Sequence, residues 1–174
     1  WAQLLLQLRS FDLFAAAEMS ATSFCRTGLN RNGLFPELSY GRSPRQRFNN
    51  PTVKTGATYK LNGRNYFFVN GSYRTTAPFF ENAYISQRTR NTVQENLKSE
   101  TIISGEMGYK LNAPEVRLGF TAYYTKFTHG VDVLTFYHDQ YQNFVSYALS
   151  GINKVFFGGE IGVELKLNST LSFN

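Results

Sequence analysis

The feature that most constrains the fold of this chain is a strict alternation of apolar and polar positions between residues 154 and 167. Successive side chains of a β-strand point to opposite faces, so this pattern predicts a strand with one dry face and one wet face. Its length favours the wall of a transmembrane β-barrel. The apolar positions are Val155, Phe157, Gly159, Ile161, Val163, Leu165 and Leu167, and the interleaved positions are Lys154, Phe156, Gly158, Glu160, Gly162, Glu164 and Lys166.

The alternation recurs in four further segments and, more weakly, in a fifth. The clear segments are 52–61, 65–74, 98–111 and 116–127, and the weaker one is 13–26. Residues 1–8 and 171–174 resemble parts of a preceding and a following strand, so we expect the chain to begin and end inside a sheet. The prediction is an all-β fold, an antiparallel transmembrane β-barrel present here as an incomplete arc of about 6–8 strands.

The spacers between these segments fall into two length classes that alternate along the chain. Short turns are predicted at 61–64, 112–115, 168–170 and 9–12, and long loops at 27–50, 75–97 and 128–153. The first turn contains Asn62-Gly63, a strong hairpin signal because both residues tolerate positive φ. Short turns at one rim and long loops at the other predict periplasmic turns and extracellular loops.

Composition is compatible with a barrel and not with a helical membrane protein. Hydrophobic residues make up 42% of the 174 residues, but no apolar run approaches the roughly 20 residues that a spanning helix needs. Aromatic residues reach 16%, and Tyr59, Tyr73, Tyr109 and Tyr124 fall where an aromatic girdle would lie, although tyrosine is also simply a good strand former. The single Cys25 excludes a disulfide framework.

The net charge of +6 does not indicate a nucleic-acid partner. No helix-turn-helix, ribonucleoprotein motif or zinc finger is present, so we predict no nucleic-acid binding. The first long loop carries four arginines, Arg31, Arg42, Arg45 and Arg47, against Glu37, a net of +3. This loop better suits an anionic ligand or the anionic cell surface.

Several stretches resemble the barrel region of TonB-dependent outer-membrane receptors. They are residues 49–66, 77–86 with 88–91, 119–127 and 158–164, and the resemblance extends over most of the chain from about Phe14 onward. It implies a 22-stranded barrel closed by an N-terminal plug. Residues 1–174 would then be a partial barrel domain without the plug. A secreted barrel protein needs a signal peptide and none precedes Trp1, so we expect the N-terminal region to be missing.

The resemblance also implies a function and a location. Such receptors import a scarce nutrient (a siderophore, vitamin, haem or glycan) across the outer membrane of Gram-negative cells. The implied partners are outer-membrane lipid, the small-molecule nutrient, and the TonB complex, which would bind through the missing N-terminal region.

Candidate ligand contacts lie on the second long loop. Arg88 and Arg90 lie near Phe79, Phe80 and Tyr84 in the sequence, a mixture that can bind carboxylates, phosphates or catecholates while stacking on a ring. The alternative is that these aromatic residues pack the loop and the arginines pair with acidic neighbours, Glu81 or Glu95.

Other charged residues give weaker hypotheses. Glu106, Glu160 and Glu164 belong to the wet set and are predicted to face the lumen, where a plug would meet them. Loop residues His129, Asp132, His138 and Asp139 are of metal-ligating types, but their spacing matches no metal motif. We therefore predict no metal site and no cofactor.

Three function classes follow from these patterns. No Gly-x-Ser-x-Gly elbow, phosphate-binding glycine loop or His-Glu-x-x-His helix is present, so we predict that the chain is not an enzyme. The first of the three function classes is the wall of an outer-membrane transporter. The alternatives are a small outer-membrane barrel acting as an adhesin or structural anchor, and a soluble carbohydrate-binding β-sandwich.

Overall fold

The computed structural model describes residues 1–166 and 172–173, and its main element is one antiparallel sheet of eight strands. The spatial order of the strands is β1-β2-β5-β6-β7-β8-β9-β10, and the sheet does not close on itself within the described residues. The predicted all-β arc of a barrel wall is therefore confirmed. Its strands are β1 (Ala2–Gln7), β2 (Phe11–Phe24), β5 (Gln46–Lys60), β6 (Asn65–Thr76), β7 (Glu100–Asn112), β8 (Val116–His138), β9 (Asn143–Lys166) and β10 (Ser172–Phe173), and the smaller elements are β3 (Thr27–Gly28), α1 (Pro36–Ser39), β4 (Gly41–Arg42) and α2 (Phe80–Ala83).

The strand register collects the apolar set of every strand on one face. One row across six strands consists of Phe11, Tyr59, Phe67, Tyr109, Phe120 and Ile161. No second layer covers this face, since Ala83 and Tyr84 are the only buried hydrophobic residues in the described part of the chain. The sandwich alternative, which requires two packed sheets, does not fit this topology.

The apolar band runs obliquely across the strands. It extends from Phe11 to Met19 on β2 and from Val116 to Tyr124 on β8, nine residues or eight residue-to-residue steps on each strand. Phe120 shares a row with Phe11, so the band on β8 is displaced by four residues toward the turns over four strand-to-strand steps. The band is therefore displaced by about 13 Å along the strands over a width of about 19 Å across them. This ratio corresponds to a strand tilt of about 35°. The band is then about 22 Å tall, close to the height of the apolar belt of outer-membrane barrels.

The short turns lie together at one end of the apolar band, close to the aromatic residues Phe11, Tyr59, Phe67 and Tyr109. The rings of Phe11 and Tyr59 are 4.8 Å apart, and those of Phe67 and Tyr109 are 5.0 Å apart. The hairpin at 61–64 forms as predicted, without positive φ at Asn62 or Gly63. The Asn62 side-chain oxygen instead accepts hydrogen bonds from the Arg64 and Asn65 amides, each 2.9 Å long. The predicted turn at 168–170 lies outside the described residues.

The structure corrects the third predicted long loop. Strand β8 continues to His138 and β9 begins at Asn143, so only residues 139–142 connect them. A register irregularity between Phe127 and Gly130, with His129 at a φ of 63°, interrupts the alternation at the base of this projecting hairpin. In the described part of the chain, neither four-residue helix is long and apolar enough to cross a membrane.

Candidate functional site

The charged side chains of the sheet lie mainly on the face opposite the apolar band. The register places Glu106, Glu160 and Glu164 on this polar face. The Asn70 amide donates a 2.7 Å hydrogen bond to the carboxylate of Glu106, and Arg117 lies 3.1 Å from that of Glu164. Glu106 and Glu160 line the same open cleft of about 610 Å³. The polar face therefore offers hydrogen-bonding and charged groups to whatever lies against it.

Three aromatic side chains of the polar face lie over glycines of the neighbouring strand. Phe14 lies against Gly56, Phe68 against Gly108, and Tyr123 against Gly158. A Cβ atom at Gly158 would lie 2.7 Å from the Tyr123 hydroxyl oxygen and 2.9 Å from Cζ. These pairs hold the rings close to the sheet and keep the space above it open.

A cleft of about 580 Å³ lies on the polar face where the sheet meets the loops. Phe79 and Phe80 form its loop side, and they are 73% and 40% exposed. Lys54, Arg74 and Glu18 contribute charged groups from β5, β6 and β2. The cleft thus combines accessible aromatic rings with two cations and one carboxylate.

Two loops, 25–45 and 77–99, are joined into one unit above this cleft by Arg26. Its guanidinium is buried and donates hydrogen bonds to carbonyl oxygens of both loops: Ser39 at 2.9 Å, Gln87 at 2.6 Å and Arg88 at 3.3 Å. A fourth bond of 2.6 Å reaches the side-chain oxygen of Asn91. All four acceptors are neutral, so the loops are held by a buried cation surrounded by oxygen dipoles. We call these two segments the loop unit.

The structure buries Tyr84, one of the predicted ligand contacts. The side chain has no exposed surface, and its hydroxyl lies 2.8 Å from the Ser43 hydroxyl and accepts a 3.0 Å hydrogen bond from the Arg26 amide. Its ring packs at 5.2 Å from Phe80. Tyr84 therefore belongs to the interior of the loop unit and supports Phe80 from behind.

The two predicted arginines do not join the aromatic pair at the cleft. Arg88 is exposed, and its backbone carbonyl serves Arg26. Arg90 places its guanidinium carbon 4.6 Å from the centre of the Phe35 ring, and its Nε is buried with no hydrogen-bond partner. The alternative pairing with Glu81 or Glu95 is absent from the ion pairs of the described residues, which are Arg31–Glu37, Lys60–Asp12 and Arg117–Glu164.

The sequence prediction missed three residues of this region. The alternation in residues 52–61 and 65–74 predicts only that Lys54 and Arg74 belong to the polar face, and their position under the second loop follows from the pairing of Thr52 with Arg74. Arg26 was assigned to the end of a strand, and no local pattern shows that it reaches residues more than 60 positions away. Among the described residues, no group of three or more His, Cys, Asp or Glu is placed to hold a metal ion.

Together, the two-faced sheet, its oblique apolar band and the loop unit above a polar cleft define the wall of a membrane-barrel protein. No protein-family model and no curated protein match the sequence. Among solved structures, the chain is similar in fold to the copper transporter OprC, with a TM-score of 0.74 and 11% sequence identity. The match covers 96% of this chain and 26% of that structure, so this chain spans about a quarter of the transporter's length.

Proposed function

We propose that this chain is part of the wall of an outer-membrane transporter of the TonB-dependent type. The observation that carries the proposal is the loop unit, which packs on the polar face of the wall and presents Phe79 and Phe80 to the cleft. In an outer-membrane barrel, such loops and the inner wall face are where a solute meets the protein. The fold likeness to a transporter supports the same class.

The proposed cargo is a scarce nutrient such as a siderophore, vitamin, haem or glycan. The aromatic rings suit a ring-bearing solute, and Lys54 and Arg74 suit anionic groups on it. Copper is the cargo named for the structural neighbour, but no cysteine or methionine of the described residues lines the cleft here. The two methionines, Met19 and Met107, lie on the apolar face, and the Cys25 sulfur accepts a hydrogen bond from Arg42.

The proposal includes the partners of the whole protein. The apolar band would contact outer-membrane lipid, the polar face would meet a plug, and energy would arrive from the TonB complex through another part of the protein. No catalytic step and no nucleic-acid partner form part of the proposal. A small barrel that serves as an anchor would have the same kind of two-faced wall, but it would not require a solute cleft beneath its loops.

Uptake by living cells tests this function. A Gram-negative strain lacking the full-length gene is complemented with it and given a labelled iron-loaded siderophore, cobalamin, haem or an oligosaccharide. We expect uptake of one of these that is lost when TonB is deleted. Uptake of none of them, or uptake that is unchanged without TonB, would contradict the proposal.

Paired variants connect uptake to the cleft. Phe79→Ala together with Phe80→Ala removes the aromatic side of the cleft and is expected to reduce uptake by at least about tenfold, since stacking contributes about 1–2 kcal/mol for each ring. Arg88→Ala is a matched control, because its exposed side chain lies in the same loop outside the cleft. Equal uptake by the two variants would place the binding site elsewhere.

A further inference from the structure

The hairpin above the irregularity in β8 stands free of the loop unit over most of its length. The loop unit reaches only its base, where the side-chain amides of Asn82 and Gln94 donate hydrogen bonds of 3.4 and 3.3 Å to the carbonyls of Val131 and Asp132. Above Asp132, the side-chain hydrogen bonds and ring contacts of the hairpin in the described part of the chain all lie within the hairpin itself. Its upper residues are therefore open to a partner.

Exposed aromatic residues of this hairpin lie far outside the lipid. Tyr137 lies about 35 Å above Tyr124, the last residue of the apolar band on β8, at the strand rise and tilt of this sheet. The headgroup layer of a bilayer is only about 5–8 Å thick. Contact with lipid therefore does not explain why Tyr137 is 51% exposed and Phe144 beside it is 69% exposed. Grouped apolar side chains in water mark interaction sites.

One face of the hairpin combines two rings with two hydroxyls. Tyr137 pairs with Phe144 in the register, and their rings are 5.5 Å apart at an angle of 74°. In this edge-to-face arrangement, one ring keeps both of its faces clear of the other. The next pair on the same face is Thr135 with Ser146, about 7 Å farther down the strands, and their hydroxyl oxygens lie 3.4 Å apart. We call these four residues the hairpin face.

The charge of the hairpin indicates an uncharged partner. Between residues 133 and 153, the only formal charge at neutral pH is Asp139 in the connecting turn. The loop unit, in contrast, carries both arginines and acidic residues. Three exposed carboxamides follow Asp139: Gln140, Gln142 and Asn143. A surface of hydroxyls and carboxamides with almost no charge complements neutral polar groups better than phosphates or carboxylates.

The dimensions of the hairpin face favour a small unit as its ligand. The two strands are about 4.8 Å apart and the two residue pairs about 7 Å apart, so this face offers about 100–200 Å². A standard protein–protein interface uses about 800 Å² on each partner. A sugar unit matches better, because its carbon-bound hydrogens form an apolar side that stacks on an aromatic ring. Its hydroxyls exchange hydrogen bonds with side-chain hydroxyls and carboxamides.

We propose that the hairpin face binds a neutral sugar of a glycan on an opposing cell surface. The hairpin projects from the membrane beyond the loop unit, so it meets an opposing surface before the loops do. None of its residues lines the cleft beneath the loops, so this sugar is distinct from the cargo. The proposal adds attachment to transport and depends on the outer-membrane location, not on the nutrient.

Binding of the full-length protein in lipid nanodiscs to a glycan array tests the proposal. The array presents neutral oligosaccharides ending in glucose, galactose, mannose or N-acetylglucosamine, together with sialylated and sulfated forms of the same chains. The test variant carries Tyr137→Ala and Phe144→Ala. The matched control carries Phe136→Ala and Tyr147→Ala, which removes two rings of similar exposure, 49% and 59%, from the opposite face of the hairpin.

We expect the wild type to bind at least one neutral chain saturably, and no charged form more tightly than its neutral parent. The test variant should bind at least about tenfold more weakly than the control, because each ring contributes several-fold through stacking. Thr135→Val with Ser146→Ala keeps the rings and should weaken binding several-fold by removing hydrogen bonds. Equal affinity of the test variant and the control would overturn the proposal, as would a preference for charged chains or binding to no neutral chain.

Cell attachment and nutrient uptake keep this result apart from the proposed function. Heat-dependent gel mobility reports whether each variant forms a barrel. Cells with the wild type should adhere to beads coated with the neutral glycan and cells with the test variant should not, while both take up the nutrient equally. A parallel loss of uptake would identify the sugar as cargo and overturn the separate site, whereas adhesion without any uptake would contradict the transport function alone.

A competition experiment tests the source of the sugar. Purified surface polysaccharide from the cells that carry the protein is added to the adhesion assay. We expect it to leave adhesion to the beads unchanged. Complete inhibition at the concentration at which the free neutral glycan inhibits would overturn the assignment to an opposing surface.

Discussion

Replacing Arg26 is expected to separate the two loops while leaving the barrel wall in place. Arg26 joins residues of both loops through four hydrogen bonds, three of them between 2.6 and 2.9 Å. Hydrogen bonds to a charged group each stabilise by about 1.5–3 kcal/mol, and burying a charge without a carboxylate costs several kcal/mol. For Arg26→Ala we expect a net loss of about 3 kcal/mol in the free energy of opening the loop unit.

Hydrogen exchange of backbone amides, measured by mass spectrometry on the full-length protein in detergent, reports this opening. A loss of 3 kcal/mol corresponds to exchange about 100-fold faster in residues 84–92 and 36–43, with the strands unaffected. The exchange rate in Arg26→Lys should lie between those of the wild type and Arg26→Ala, because an ammonium group cannot reach acceptors in both loops as the planar guanidinium does.

The control for this experiment is Arg31→Ala in the same loop. Arg31 forms a 3.1 Å ion pair with Glu37, but both side chains are mostly exposed, so its removal should cost less than about 1 kcal/mol. Exchange in Arg26→Ala that is no faster than in Arg31→Ala would show that other contacts hold the loops together.

Three further predictions concern the wall and its loops. Ile161→Arg, near the middle of the apolar band, should destabilise the inserted barrel by about 2–4 kcal/mol, whereas Glu160→Arg on the polar face should cost much less, as urea unfolding in lipid vesicles will show. Gly108→Ala should cost about 1–3 kcal/mol in the same assay, because its Cβ would meet the Phe120 carbonyl and the Phe68 ring, while Gly119→Ala on the adjacent strand meets no atom within 4 Å and should be nearly neutral. Tyr84→Phe should make exchange in residues 84–92 about tenfold faster, because it removes one of the two acceptors of the Arg26 amide and one partner of the Ser43 hydroxyl; unchanged exchange would contradict the hydrogen-bonding role of the Tyr84 hydroxyl.

The wall was predictable because its two faces meet different solvents. Every second residue of β9 from Val155 to Leu165 is apolar or glycine, and a shift of one residue would move this set to the wrong face. The alternation therefore fixes both the strand and its orientation. The same rule failed for the hairpin above the irregularity at His129, where residues such as Tyr137 and Phe144 are exposed and neither face needs to be apolar.

The candidate site was less predictable because it depends on contacts between distant segments. The aromatic residues of the second loop single out Phe79, Phe80 and Tyr84 as candidates, but nothing local distinguishes the exposed Phe79 from the buried Tyr84 five positions later. Arg26 contacts residues that follow it by 61 to 65 positions as well as Ser39. Such a contact is determined by how the loops fold over the sheet, which no periodicity describes.

The oblique course of the apolar band has a consequence for the whole barrel. A displacement of one residue per strand accumulates as further strands are added to either edge of the sheet. A barrel continued at this pitch would close with its first and last strands offset by about as many residues as it has strands, so its shear number would be close to its strand number. The descent of the band from β2 to β8 thus sets how the two ends of the complete wall must meet, whatever its size.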